Sequence, residues 1–180
     1  NEAHWTRYDV VGWGEPVRVN NWPVDGRWYG NEPVMLADIS GTEAEELIPR
    51  IEKTAKAYDY SQSGDYRIWP GPNSNSFIAA ILRTVPELGV TLPPNAVGRD
   101  FRHGFYLGPT DSGTGLEVNL SGYAGLKVGW VEGIEINFLG LVAGLDVRYP
   151  AVKLPGYGRL GIGSPVTVSY THLRAHETVL

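Results

Sequence analysis

The last third of the chain repeats one six-residue pattern four times: Gly115-Leu-Glu-Val-Asn-Leu120, Gly125-Leu-Lys-Val-Gly-Trp130, Gly133-Ile-Glu-Ile-Asn-Phe138 and Gly144-Leu-Asp-Val-Arg-Tyr149. Each unit reads glycine, apolar, charged, apolar, any residue, large apolar, and successive units start 10, 8 and 11 residues apart. Apolar residues that alternate over such short stretches, separated by glycines that can form turns, predict a four-stranded antiparallel meander.

The alternation also predicts which side chains of this meander are buried. Successive side chains point to opposite faces of a strand, so we expect Leu116, Val118 and Leu120 to face the core and Glu117 to face water. Lys127 is expected to lie across from Glu117 or Glu135 on a neighbouring strand, where opposite charges attract.

The first half of the chain predicts strands and two helices. Strands at Tyr8–Gly14 and Val17–Asn20 are expected to pair, and Arg27–Tyr29 to return as a third strand. Thr42 and Glu45 match a capping box ahead of an apolar helical face, and Pro49 within that face predicts a kink or a later helix start.

A second apolar helical face runs from Phe77 to Val85. Helices that precede an antiparallel sheet predict an α+β domain, and we place a single domain at residues 1–163.

Composition excludes several classes of function. The net charge is -5 and the chain has no basic run, which argues against a nucleic-acid-binding surface. It contains no cysteine, which excludes thiol catalysis and thiolate zinc sites. No stretch of 18 apolar residues occurs, so no membrane span is predicted. No cofactor is predicted either, because the dinucleotide-like glycine pattern at Gly156–Gly161 follows no strand–helix unit.

Both ends of the sequence are unusual. The chain starts at Asn1, and we expect it to be a fragment or a processed product. Residues 164–180 resemble a translated sequencing adapter, so we treat them as a non-native tail and set aside His172 and His176 as metal ligands. His4 and His103 are then the histidines of the domain.

The most distinctive run is Trp69-Pro-Gly-Pro-Asn-Ser-Asn-Ser-Phe77, which we name the helix-start corner. Two prolines and a glycine make the backbone turn there, directly ahead of the second helix. Its Asn and Ser residues are of the kind that cap helices, but they also place polar groups beside the free N–H groups of a helix start. The predicted ligand-binding residues are Trp69, Asn73, Asn75 and Ser76.

Several motifs together resemble a bacterial family catalogued as a domain of unknown function: Tyr8-Asp-Val-Val-Gly-Trp-Gly14, Trp28-Tyr-Gly-Asn31, Arg67-Ile-Trp-Pro-Gly-Pro-Asn-Ser-Asn-Ser-Phe77 and Leu154-Pro-Gly-Tyr-Gly158. The likeness covers most of residues 5–163. Members of that family usually have an upstream membrane-anchoring or export segment, so the resemblance implies a location in the bacterial cell envelope or periplasm. It implies no established activity.

The helix-start corner also resembles permuted papain-like hydrolases and acyltransferases of the NlpC type, which often show Asn-Cys-x-x-Phe at a helix start. Asn73-Ser-Asn-Ser-Phe77 has that frame, with Ser74 in the position of the cysteine. The resemblance implies a papain-like architecture, Ser74 as a nucleophile and His4 or His103 as its base. Backbone donors would lie near Asn75 and Ser76. A serine needs such a base, because a helix dipole alone does not ionise its hydroxyl.

Two functions stay open at this point. In the first, an envelope-associated domain binds an extended amide-, acyl- or glycan-bearing ligand in a groove at Pro70–Phe77. If catalytic, it performs amide or acyl transfer through Ser74. In the second, the domain is a non-catalytic structural or ligand-binding module, and Ser74 is only a helix cap.

Overall fold

A computed structural model describes residues 5–23, 26–27 and 35–162 of the chain. These residues form two α-helices, one short 3-10 helix and two antiparallel sheets, so the predicted α+β class is confirmed. The tail predicted at residues 164–180 lies outside the described residues, as does most of the third strand predicted at residues 27–29. The papain-like architecture stays a prediction.

The two helices are α1, Thr42–Lys56, and α2, Ser74–Thr84. Helix α1 continues through Pro49 and begins after Gly41, where no side chain caps it. The capping box predicted for Thr42 and Glu45 is therefore wrong, because Thr42 is already the first helical residue and stands one position too late to cap. Neither helix is long and apolar enough to cross a membrane.

The main apolar core lies between the two helices. Buried Leu47 and Ile51 of α1 pack with buried Phe77 and Ile81 of α2. A small sheet closes this core, and its strands β1, Tyr8–Val10, and β2, Val17–Val19, pair antiparallel as predicted. A second apolar cluster, around Ala79, Leu82 and Leu92, covers the opposite side of α2.

The large sheet is a seven-stranded meander in which every strand pairs with its neighbours in sequence. Its strands are β3 (Phe105–Pro109), β4 (Gly115–Leu120), β5 (Ala124–Gly129), β6 (Gly133–Phe138), β7 (Leu141–Asp146), β8 (Ala151–Leu154) and β9 (Gly158–Gly161). The predicted four-stranded meander is confirmed as β4 to β7, although β7 begins three residues before the repeat at Gly144. Strands β3, β8 and β9 extend the meander on both sides.

The two faces of this sheet are the reverse of the prediction. Glu117 is 0% exposed, whereas Leu116 is 66% exposed and Leu120 is 54% exposed. The expectation that Leu116, Val118 and Leu120 face the core is therefore wrong. We call the face that carries Glu117 the inner face and the face that carries Leu116 the outer face.

The predicted cross-strand neighbours are nevertheless correct. Glu117 of β4 is opposite Lys127 of β5, which is opposite Glu135 of β6. All three side chains are buried on the inner face. A row of charges that was expected in water therefore lies inside the protein.

Candidate functional site

Asn73, not Ser74, caps the second helix. Its side-chain Oδ1 accepts hydrogen bonds from the backbone N–H groups of Asn75, at 2.9 Å, and Ser76, at 3.1 Å. The Ser76 hydroxyl in turn accepts from the Asn73 N–H at 2.6 Å, which completes a capping box. The prediction of Ser74 as the cap is therefore wrong, because Ser74 is the first residue inside the helix.

The helix-start corner is closed by the segment that follows residue 96. The Asn73 amide donates to the carbonyl oxygens of Ile68, at 2.9 Å, and Val97, at 3.0 Å. The Asn75 amide donates to the same Val97 oxygen at 2.8 Å. Asn73 and Ser76 are both buried as a result.

Ser74 and His103, two of the three predicted catalytic residues, make no hydrogen bond to each other. Ser74 is partly buried, and its side chain makes no hydrogen bond within the described part of the chain. His103 is exposed on the segment before β3, and His4 lies outside the described residues. The N–H groups of Asn75 and Ser76, which the resemblance offers as donors to an oxyanion, are already bound by Asn73.

Trp69 lies against two turns at one end of the large sheet, the turn between β4 and β5 and the turn between β6 and β7. Its side chain is exposed, and its indole N–H donates to the carbonyl oxygen of Leu139 at 3.0 Å. The ring stands edge-on to Tyr123, with ring centres 5.1 Å apart. Trp69 therefore joins the helix-start corner to the turn between β6 and β7.

A cleft of about 640 Å³ lies beside the helix-start corner. It is formed by the end of α1 with the residues after it, by one side of α2, and by the segment that leads into β3. Of the predicted site residues, it includes Ser76 and His103 but not Ser74, Trp69, Asn73 or Asn75. The lining residues are Arg50, Lys53, Thr54, Ala57, Tyr58, Asp59, Tyr60, Ser76, Ala80, Arg83, Thr84, Phe101, Arg102, His103 and Tyr106.

Aromatic rings form one wall of the cleft. Tyr60 stands edge-on to both Tyr58 and Phe101, with ring centres 5.5 Å apart in each pair. The Arg102 guanidinium lies 3.9 Å above the ring of Tyr106. Burial raises the pKa of the Tyr58 hydroxyl, which lies 3.3 Å from the Ser76 hydroxyl, so Tyr58 is a neutral hydrogen-bonding group at physiological pH.

Cations outnumber carboxylates in the cleft. Four lining residues are Arg or Lys, and Asp59 is the one carboxylate among them. Arg50 pairs with Glu87, which lies outside the cleft. The Lys53 ammonium makes no ion pair within the described residues, so its charge is available to a ligand.

Two of the three arginines of the cleft, Arg83 and Arg102, are anchored in a cluster of buried charges. Asp111 accepts from Arg83 at 3.0 Å and from Arg102 at 3.1 Å. Lys127 lies 2.9 Å from Asp111 and 2.7 Å from Asp100. Burial alone raises the pKa of the Asp111 carboxyl, but Lys127, Arg83 and Arg102 together lower it below its ordinary value. Asp111 is therefore ionised and holds both arginines in place.

A second group of buried charges lies further along the inner face. Glu135 pairs with Arg99 and, at 2.5 Å, with Lys153. Lys153 also donates to the carbonyl oxygen of Glu132 at 2.6 Å.

Within the described residues, no three His, Cys, Asp or Glu side chains are grouped to hold a metal ion.

Sequence reasoning missed most of the cleft. Arg50, Lys53 and Thr54 recur at positions i, i+3 and i+4 on α1, and Ala80, Arg83 and Thr84 repeat that spacing on α2. This spacing puts each trio on one face of its helix. A basic residue followed by threonine on one face of each of two adjacent helices was the available signal, although it does not reveal that Arg102 and Tyr106 complete the cleft.

A family model described as "Protein of unknown function (DUF3750)" matches residues 1–101. The matched region includes both helices and the helix-start corner, and it ends before β3. No curated protein and no solved structure matches the chain. Because the match covers more than half of the 180 residues, the chain belongs to the DUF3750 family.

Proposed function

We propose that this protein is a ligand-binding domain of the bacterial cell envelope, and that its cleft binds an anionic ligand with an amide, acyl or glycan body. The observation that carries the proposal is the Lys53 ammonium, the one cation of the cleft that makes no ion pair within the described residues. A volume of about 640 Å³ lies within the usual range for small-molecule sites. The location in the envelope is supported by the family resemblance of the sequence motifs.

Two features of the cleft favour an anionic headgroup on a larger body. Arg83 and Arg102 are fixed by Asp111, so their guanidinium groups need little reordering to bind a carboxylate or phosphate. The rings of Tyr58, Tyr60 and Phe101 offer apolar surface for a sugar ring or an acyl chain. Fixed cations beside an aromatic wall suit a ligand that has both parts.

The test compares three carboxylate probes with their uncharged counterparts: decanoate with decanol, glucuronate with glucose, and N-acetylalanine with its amide. We expect at least one acid to bind. At a free concentration ten times its Kd, that acid should raise the free energy of unfolding by about 1.4 kcal/mol, as measured by thermal unfolding. Its counterpart should bind more weakly. We predict that Lys53→Ala weakens binding of that acid about fivefold, which is the effect of losing about 1 kcal/mol.

Lys56→Ala is the matched control. Lys56 lies one turn further along α1, outside the cleft, and pairs with Glu52 at 3.0 Å. It should therefore leave the affinity unchanged. The proposal is overturned if none of the acids binds, or if both lysine variants weaken binding to the same extent.

Catalysis by Ser74 is a second candidate function, and one observation favours it. Asn73 does the capping, so the partly exposed Ser74 hydroxyl is left without a structural hydrogen bond in the described residues. Such a hydroxyl at a helix start could attack an amide or ester carbonyl if a base reached it. Among the described residues, His103 is the imidazole on the segment that lines the neighbouring cleft.

Labelling with a fluorophosphonate probe tests this second function. We predict that the wild-type chain is labelled, that Ser74→Ala abolishes labelling, and that His103→Ala slows it because the base is lost. Ser74→Ala should change the free energy of unfolding by less than about 0.5 kcal/mol, since the hydroxyl holds nothing in place. The exposed Ser63→Ala is the control and should keep full labelling. Labelling that persists in Ser74→Ala would rule out this role.

A further inference from the structure

Among the residues that the structure describes, nothing covers the outer face of the large sheet, and this face is wholly apolar. Every residue that points outward from β3 to β9 is Phe, Leu, Ile, Val, Ala, Pro or Gly, and none is polar. Its large apolar side chains are between 37% and 69% exposed. Large exposed apolar surfaces of this kind mark interaction sites.

We infer that two copies of this chain pack together through their outer faces, sheet against sheet. The charged side chains of the sheet are all on the inner face, where Glu117, Lys127, Glu135 and Lys153 are buried. Within the described residues, α2 and the loop before β3 pack on the inner face, and no described element covers the outer face.

The size of the outer face reaches the minimum for a specific dimer interface. Seven strands spaced about 4.8 Å apart, each of four to six residues at about 3.3 Å per residue, give about 500–600 Å² on each copy. Two copies would bury about 1,000–1,200 Å², which reaches the lower limit for a specific protein interface. Apolar sheet faces pack well against each other at a separation of about 10 Å.

The chemistry of the face also suits a second copy. In a twofold dimer the same surface meets itself, so a charged side chain near the axis would lie close to its own copy. The outer face carries none, and its central row, Leu107, Val118, Leu126 and Ile136, presents only aliphatic groups.

A lipid bilayer fits the structure less well. The edge strands β3 and β9 each have one neighbour, so their outer backbone N–H and C=O groups are unpaired in the sheet. Open sheet edges are not tolerated in hydrocarbon, where those groups find no hydrogen bond. A protein partner leaves the edges in water.

The oligomeric state of the full 180-residue chain tests the inference. We expect light scattering to give about twice the chain mass of 19.7 kDa. Leu126 and Ile136 are opposite each other at the centre of the sheet, and the double variant Leu126→Glu, Ile136→Glu should have the monomer mass with an unchanged circular dichroism spectrum. Met35→Glu, at an exposed apolar residue outside the sheets, is the control and should stay dimeric.

A second measurement does not depend on charged substitutions. The chain has no cysteine, so single cysteines can be placed one at a time at positions 118, 126, 128 and 136. At least one should form an intermolecular disulfide under mild oxidation, and Met35→Cys should not. A monomeric wild type, or a mixture without defined mass, overturns the inference. If the wild-type chain is monomeric and floats with phosphatidylcholine vesicles, and the double variant does not float with them, the outer face binds lipid instead.

Discussion

Gly98 lies directly against the side chain that caps the second helix. A Cβ atom at this position would stand 2.2 Å from Nδ2 of Asn73, and the backbone φ is +92°. Residues other than glycine are strained at such a φ. Glycine is therefore needed at position 98 both for its backbone conformation and for the close approach of Asn73.

Gly98→Ala should separate these two requirements when it is compared with Gly64→Ala. Gly64 has nearly the same φ, +93°, but a Cβ there meets no atom within 4 Å. We predict that Gly64→Ala lowers the free energy of unfolding by about 1–2 kcal/mol through backbone strain. Gly98→Ala should cost about 2–4 kcal/mol, because the clash with Asn73 is added to the strain. Urea unfolding measures the free energy of unfolding of each variant. Equal decreases in the two variants would contradict the packing role of Gly98.

The residues at the helix start show how far sequence reasoning extends at this scale. Proline, glycine and the Asn and Ser residues predicted that a helix begins at the corner, and α2 does begin at Ser74. They did not predict which residue caps it, because Asn and Ser are both good N-caps. The choice of Asn73 depends on the carbonyl oxygen of Val97, 24 residues away.

At the scale of elements, the period of the meander was predictable and its orientation was not. Alternation of side chains identifies two faces of a strand, but what packs against each face decides which of them is buried. Here Arg99 and Arg102 come from the loop before β3 and pair with Glu135 and Glu117 on the inner face. Those partners make burial of the charged row favourable, and local sequence gives no sign of them.

Two of the three strands that sequence analysis missed have weak local signals. Strand β3 contains Gly108 and Pro109, and β9 has glycine at both ends. Glycine and proline are both unfavourable in strands. These segments form strands because β4 and β8 offer unpaired edges beside them.

At the scale of the whole molecule, the cleft and the buried charges form one unit. Arg83 of α2 and Arg102 of the loop before β3 line the cleft, and both are held by Asp111 from the turn between β3 and β4. Three distant segments therefore meet at one site. No local pattern predicts such a meeting, which is why the sequence pointed to the helix-start corner rather than to the cleft beside it.

The same buried charges should make the stability of the molecule depend on acid pH. The pKa of the Asp100 carboxyl, like that of Asp111, is below its ordinary value of 3.8. Burial opposes this in both residues, but Lys127 is the strongest of the cations that outweigh it. Below about pH 4 the unfolded chain therefore binds more protons than the folded protein, and the free energy of unfolding falls as the pH falls.

Asp111→Asn tests whether the carboxylate that holds Arg83 and Arg102 in the cleft also stabilises the fold. We predict that at pH 7 it lowers the free energy of unfolding by about 3–5 kcal/mol, because Lys127 and Arg102 lose a buried partner. Between pH 4 and pH 2 the wild type should lose up to about 1.4 kcal/mol per pH unit through Asp111 alone, and the variant should lack that part of the slope. Denaturant unfolding at pH 7, 4, 3 and 2 measures both effects, with the exposed Glu46→Gln as a control that keeps the wild-type slope. If the free energy of unfolding of the variant depends on pH as steeply as that of the wild type, protonation of Asp111 does not account for the loss of stability in acid.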